Sequence, residues 1–217
     1  MKKLILVVLA FAFVACDNTV KTPLGETGLS VLSGSDPTSL SLIDKNGKEV
    51  TPGKKYSEIR YIAEDNVIFT KSKDGECLFI DKDSVFWGKT LKKNGSVWQA
   101  YFDNKKTAIW DKETHIKTQQ YDNIIVGLNQ LIVCENGLYG VLDRKGKNIL
   151  PIEFEKIEVM DDGKGHCYLV YDKKSNLYRR YDNTGKKQKT VYSVKRYEKM
   201  KKEALSSWKG GFKVKKI

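Results

Sequence analysis

Reactive side chains are few in this chain and widely spaced. Beyond the first twenty positions there are two histidines, His115 and His166, and three cysteines, Cys77, Cys134 and Cys167. His166 and Cys167 are adjacent and are the right types for a thiolate–imidazole pair. Neighbours in a strand point to opposite faces, however, so that imidazole cannot take that thiol's proton, and no third orienting group is identifiable. His115 falls in a polar turn region between Asp111 and Tyr121. No Cys-x-x-Cys or Cys/His ligand spacing supports a zinc site. Asp44-Lys45-Asn46-Gly47 superficially matches the start of a calcium loop, but Lys54 and Lys55 occupy the neighbourhood where a bidentate Glu is required. There is no phosphate-cradling glycine loop, dinucleotide fingerprint or nucleophile elbow. Catalytic residues, metal ligands and cofactors are therefore not expected, and the chain reads as a non-enzyme.

Binding chemistry has more candidates. Trp87, Trp98, Tyr101, Phe102 and Trp110 lie close in sequence. Exposed on one face, Trp87, Trp98, Tyr101 and Trp110 could stack on sugar rings or anchor a protein partner; buried, they are core. The formal net charge is +12, which raises the question of an anionic partner. Its location decides the matter. Residues 17–185 carry 25 basic and 25 acidic side chains, whereas residues 186–217 carry 12 basic ones against Glu198 and Glu203. Within that basic tail, Val194, Tyr197, Met200, Ala204, Leu205 and Trp208 form one apolar stripe at helical spacing, and Gly210-Gly211 ends it. Lys195, Arg196, Lys199, Lys201 and Lys202 fill the other side. The segment could lie against anionic lipid or polysaccharide, or its stripe could pack on the rest of the protein. Phe212–Ile217 then alternates like a short edge strand. Nucleic acid is not expected as a partner, because the neutral body has no aromatic–basic recognition motif.

The elements that must position these side chains repeat. Apolar residues, an Asp and a turn recur at Asp44, Asp81, Asp111, Asp143 and Asp182. The carboxylate can accept backbone N–H bonds from residues just beyond it, and Gly47, Gly146 and Gly185 supply a left-handed turn residue. Ten to twelve residues past the Asp, Tyr56-Ser57-Glu58-Ile59, Tyr121-Asp122-Asn123-Ile124 and Phe154-Glu155-Lys156-Ile157 pair an aromatic with an Ile three positions on. Each is followed by a β-rich run (66–70, 130–134, 167–171), so a bend into another strand is expected there. The fold class expected is all-β: about five three-stranded meander units, propeller-like or an open β-repeat array, with a short basic C-terminal helix.

One stretch carries a family resemblance. Gly137-Leu138-Tyr139-Gly140-Val141-Leu142-Asp143-Arg144-Lys145-Gly146-Lys147-Asn148-Ile149-Leu150-Pro151, running on to Phe154, is similar to the WG-containing repeat of bacterial proteins, with Tyr139-Gly140 where Trp-Gly is usual. Asp44 to Pro52 repeats the spacing of Asp143 to Pro151, while Trp87-Gly88 is out of register with the motif. The resemblance implies a repetitive β architecture common in envelope or secreted proteins, and it carries no agreed catalytic residues.

The amino terminus supplies an address. Met1-Lys2-Lys3 precedes an unbroken apolar run, Leu4–Ala15, whose helix would span roughly 18 Å against the ~30 Å of a bilayer core. That fits a signal peptide rather than a membrane span. Phe13-Val14-Ala15-Cys16 resembles the lipobox of bacterial lipoproteins, with Phe13 where Leu is usual. The resemblance implies cleavage after Ala15 and lipidation of Cys16, tying the protein to a bacterial membrane; an ordinary secretory signal is the alternative. Of the other three cysteines at most one pair can form, and three small buried thiols are preferred. The expected organisation is a leader at 1–15, a polar tether at 16–29, a β-repeat domain at 30–190 and a basic amphipathic segment at 191–217. The functional expectation is a lipid-anchored, non-enzymatic envelope protein presenting its repeats to a protein or glycan partner. The alternatives are an envelope glycan-processing enzyme, or a structural lipoprotein whose basic tail binds anionic lipid or polysaccharide.

Overall fold

A computed structural model describes residues 19–36, 38–81, 84–127, 129–161 and 166–207, without the side chains of 161 and 204–207. The leader, Cys16 and the expected edge strand 212–217 lie outside these residues. Five small antiparallel sheets follow one another along the chain, each a meander of sequence neighbours. The first holds β1 (Val20–Pro23), β2 (Ser30–Ser33) and β3 (Ser41–Ile43). The second holds β4 (Glu58–Ile62), β5 (Val67–Ser72), β6 (Gly75–Phe79) and β7 (Val85–Gly88). The third is β8 (Thr90–Asn94), β9 (Val97–Tyr101), β10 (Thr107–Asp111) and the two-residue β11 (Ile116–Lys117). The fourth is β12 (Asn123–Val126), β13 (Gln130–Glu135), β14 (Leu138–Asp143) and β15 (Asn148–Phe154). The fifth is β16 (Ile157–Asp161), β17 (His166–Asp172), β18 (Leu177–Tyr181) and β19 (Lys187–Ser193), and helix α1 (Val194–Ser207) follows it. The chain divides into two compact units, Met1–Leu91 and Lys92–Ile217.

The repeated all-β architecture agrees with the sequence pattern, but four of the sheets have four strands rather than three. The added strand is the short segment that opens a sheet: Ile59, Ile124 and Ile157 lie in β4, β12 and β16. Such segments are four or five residues long, too short to show an alternation distinct from the bend before them. Part of the span expected as a tether, 16–29, is folded instead. Val20–Pro23 pairs with Ser30–Ser33, and Leu24 and Leu29 are buried either side of a turn closed by Leu24 N–H donating to the Leu29 carbonyl at 3.0 Å. Two leucines spaced in a polar stretch suffice to fold it onto the first core. At the other end the β domain runs to Ser193 instead of residue 190.

The repeats share two devices, the first complete at Asp44, Asp143 and Asp182. The first is the Asp turn. Asp143 Oδ1 accepts the N–H groups of Lys145 and Lys147 at 2.8 and 2.9 Å, and Gly146 N–H returns to the Asp143 carbonyl at 3.0 Å. Asp44 and Asp182 form the same set of bonds. Gly146 sits at φ 78°, a left-handed conformation that glycine enters without steric cost. The second device is an aromatic clamp. The residue four before each Asp pairs with the aromatic that ends the fourth strand or stands where that strand would end: Leu40 with Tyr56, Cys77 with Trp87, Thr107 with Tyr121, Tyr139 with Phe154, and Tyr178 with Tyr192. After the aromatic the chain turns away into the next sheet.

Alternation then lets the fourth and fifth sheets bury both faces. In β14, Leu142 joins Val97, Ile109, Ile124 and Leu131 in the core between the third and fourth sheets. Its neighbour Val141 points the other way and joins Leu150, Ile157, Tyr168 and Val170 between the fourth and fifth. Leu169 faces outward from the fifth sheet with Tyr178 and Tyr192, where Tyr197 of α1 covers it. In the first unit Leu42, Tyr56, Ile68 and Phe79 fill the space between the first two sheets. Burial on both faces is why the strands read as continuous apolar runs rather than clean alternations.

Candidate interaction surfaces

Trp87, Trp98, Tyr101 and Trp110, which the sequence left as either an exposed platform or core, do not share one exposed face. Trp98 and Trp110 are directly opposite each other on β9 and β10, and both are core residues, 6% and 3% exposed. Their strands carry buried residues on both faces, so alternation leaves neither indole a route to solvent. Tyr101, at the end of β9, is half-buried with the Lys92 ammonium 5.2 Å from its ring centroid. Trp87 alone of the four is open, at 55% exposure. Its clamp position explains why Trp87-Gly88 is out of register: this Trp ends a fourth strand, whereas Tyr139-Gly140 lies in a third. Gly140 itself is required by close approach, since a Cβ there would stand 2.7 Å from Ile152 Cγ1 and 2.9 Å from Ile152 N.

The basic segment resolves into parts with different roles. α1 starts where, in the other repeats, the first strand of a next sheet would begin, two residues past the clamp aromatic Tyr192. Its apolar side packs on the fifth sheet: Tyr197 is buried, and Val194 and Met200 are half-buried against Leu169 and Tyr178. The Tyr178 and Tyr197 rings stack at 4.1 Å between centroids. Ala204, Leu205 and Trp208, the rest of the expected stripe, have no described side chains. Lys201 is not a surface cation. Its Nζ lies 3.1 Å from Glu158 Oε1, which Lys156 Nζ also approaches at 3.1 Å. Burial pushes the Glu158 carboxyl up, but Lys201, Lys156 and Tyr197 outweigh it and hold the group below its usual range. Arg196 stacks on Tyr192 at 5.4 Å. Lys195, Lys199 and Lys202 remain exposed on the side of the helix away from the sheet.

Polar chemistry elsewhere is structural. His115 is an exposed turn residue at φ 55°. His166 is half-buried and Cys167 is fully buried beside it on β17. Cys77, Cys134 and Cys167 are free thiols, and burial raises the Cys77 thiol above its ordinary value. One interaction had no forecast in the sequence. Asp111 keeps a turn bond, its Oδ1 accepting the Glu113 N–H at 3.2 Å, and adds a partner outside its turn: Arg144 donates to its Oδ2 from Nε at 2.8 Å and from Nη2 at 2.6 Å, while Ser96 and Thr114 hydroxyls donate at 3.1 and 3.0 Å. The signal was available, because Arg144 stands where the other repeats have Lys45, Lys82, Lys112 or Asn183. Only Arg offers a fork that fits a carboxylate.

Comparison with known proteins finds the repeat in two stretches of the sequence. Residues 41–77 and 139–166 match the WG containing repeat. Each matched stretch opens in the third strand of one sheet and ends in the next sheet, so the sequence repeat and the sheet are out of phase. Among solved structures the chain is similar to the computationally designed Ika8 protein, at 13% identity and a TM-score of 0.30 over 79% of this chain and 61% of that one. It is similar also to BamB from Moraxella catarrhalis, at 10% identity and a TM-score of 0.30 over 77% of this chain and 59% of that one. The chain thus spans about three fifths of the length of these structures. No curated protein sequence matches it.

Proposed function

We propose that this protein is a lipid-anchored, non-enzymatic interaction module of the bacterial cell envelope, presenting its β-repeat loops and edges to a protein or glycan partner. The carrying observation is the match of two stretches to the WG containing repeat, set on a row of sheets of which the fourth and fifth have both faces consumed by packing against neighbouring sheets and α1. Stacked repeats build a continuous surface from their rims, and this suits recognition. The leader and Cys16 supply the membrane address: one thioether-linked diacyl group would provide the two chains that stable anchoring needs.

The test is crosslinking of the full chain in intact cells, followed by identification of what is captured, alongside labelling with a fatty-acid analogue. One recurrent envelope protein or glycan, and acyl label lost in Cys16→Ser, support the reading. Capture of cytosolic proteins only, with no label on the wild type, would end it. Hydrolysis of a purified envelope glycan by the chain would favour the glycan-processing alternative.

A further inference from the structure

The charge imbalance of the chain is concentrated in its last 32 residues, and the part of that segment on α1 sorts its cations into two groups. Lys201 is committed to Glu158, and Arg196 to the Tyr192 ring. Lys195, Lys199 and Lys202 are exposed and, being four and three residues apart on α1, form one row about 10 Å long. Lys199 does approach Glu203 at 3.7 Å, with side chains 77% and 63% exposed, a pairing too solvated to hold it against a denser anionic partner. Glu198 is the remaining acidic residue on α1 and is exposed on the flank of the row.

We infer that the row Lys195–Lys199–Lys202 is a docking surface for anionic phospholipid headgroups. Charge complementarity names the partner class, and the geometry limits the manner of contact. Because Val194, Tyr197 and Met200 are seated on the fifth sheet, the helix over these residues cannot turn its apolar face into acyl chains as a free amphipathic helix does. Contact is confined to ammonium groups beside phosphates, lying flat, without insertion. Such contact is reversible and is screened at a Debye length of about 8–10 Å in physiological salt. The choice of lipid over other polyanions rests on the envelope reading, in which an acyl group at Cys16 already holds the chain beside a leaflet. The row would then decide which way the repeats face.

The experiment uses the full chain carrying Cys16→Ser, so that no acyl group contributes, in flotation with phosphatidylcholine vesicles and with mixed phosphatidylglycerol/phosphatidylcholine vesicles. Any affinity of the apolar leader is common to all variants. A lysine beside an anionic leaflet is worth about fivefold in partitioning, so Lys195→Gln/Lys199→Gln/Lys202→Gln is expected to lower binding to the anionic vesicles on the order of a hundredfold. Raised salt should have the same effect on the parent. A control with Lys45→Gln, Lys48→Gln and Lys73→Gln, exposed lysines of the first two sheets, matches the charge change and should bind like the parent. Equal loss in the control and the α1 variant overturns the proposal, as does binding indifferent to phosphatidylglycerol. Preferential capture by a soluble acidic polysaccharide at equal charge overturns it in favour of a glycan contact. None of these outcomes depends on acylation, so the envelope reading stands or falls separately on the Cys16 label.

Discussion

Arg144, the residue after the repeat Asp of the fourth sheet, donates two hydrogen bonds to Oδ2 of Asp111, the repeat Asp of the third. The pair is shielded, with 17% of the Arg144 side chain and 1% of that of Asp111 exposed. Arg144 Nη1 also donates to the Gly127 carbonyl at 3.3 Å and Nη2 to Ser96 Oγ at 3.2 Å. A side chain that in other repeats projects from a turn here fastens two neighbouring sheets.

Removing one partner of that pair should be costly. Arg144→Ala leaves a carboxylate buried without its counter-charge, and a loss of about 3–5 kcal/mol in unfolding free energy is expected. The milder Arg144→Lys variant should retain only part of that stability, because an ammonium cannot reproduce the fork. Urea unfolding followed by circular dichroism measures both; a loss below about 1 kcal/mol in the alanine variant, the scale of a surface ion pair, would show that the pair is not shielded in solution.

Acid should weaken the fold in a defined direction. Burial raises the Asp111 carboxyl, but hydrogen bonds from Arg144, Thr114 and the Glu113 amide outweigh it and leave it below its ordinary value. Glu158 is likewise depressed, and hydrogen bonds from Ser175 and Arg179 take Asp172 to about 2. A carboxyl whose folded value lies below its unfolded value contributes stability that is present above the unfolded value and is lost as pH falls through the folded one. The Tm should therefore hold from neutrality down to about pH 5 and fall from there toward pH 2. Glu158→Gln should flatten part of that slope in scanning calorimetry; an unchanged slope would remove Glu158 from the account.

Gly140 gives a steric prediction. Gly140→Ala places a methyl within 3 Å of Ile152, where β14 and β15 run with an irregular register. A destabilisation of about 1–3 kcal/mol is expected from overpacking. Pairing it with Ile152→Gly would relieve the Cγ1 contact but not the backbone one, so thermal melts of the double variant should show no full rescue.

The tryptophans separate core from surface. Trp98→Ala should cost about 3–5 kcal/mol, whereas Trp87→Ala, at a site 55% exposed, should cost about 1 kcal/mol or less. Comparable losses at the two sites in chemical denaturation would place both indoles in a core.

The Asp-to-Asp spacing and the aromatic–Ile pattern made the repeat legible, because turn chemistry is local: a carboxylate, two amides and a glycine within five residues. The same locality explains what was not legible. Trp98 and Trp110 could be a platform or a core on sequence alone, since the deciding fact is their burial in the fold, 6% and 3% exposed. Leu24 and Leu29 look like stray apolar residues until a strand pairs beside them. The stripe of α1 offered either a membrane or the protein as its neighbour, and Tyr197 on Tyr178 decides for the protein. Arg144 was visible as a departure from lysine, but its partner lies 33 residues away, beyond the reach of any local pattern.

The offset between the sequence repeat and the sheet has an evolutionary consequence. Because each repeat begins in one sheet and ends in the next, recombination between equivalent positions of two repeats inserts or removes one period and still leaves every junction sheet with a full set of strands, donated by two parents. Copy number can thus change without exposing a half-built sheet. The third and fourth sheets are the exception, because separating Asp111 from Arg144 would strand a buried charge.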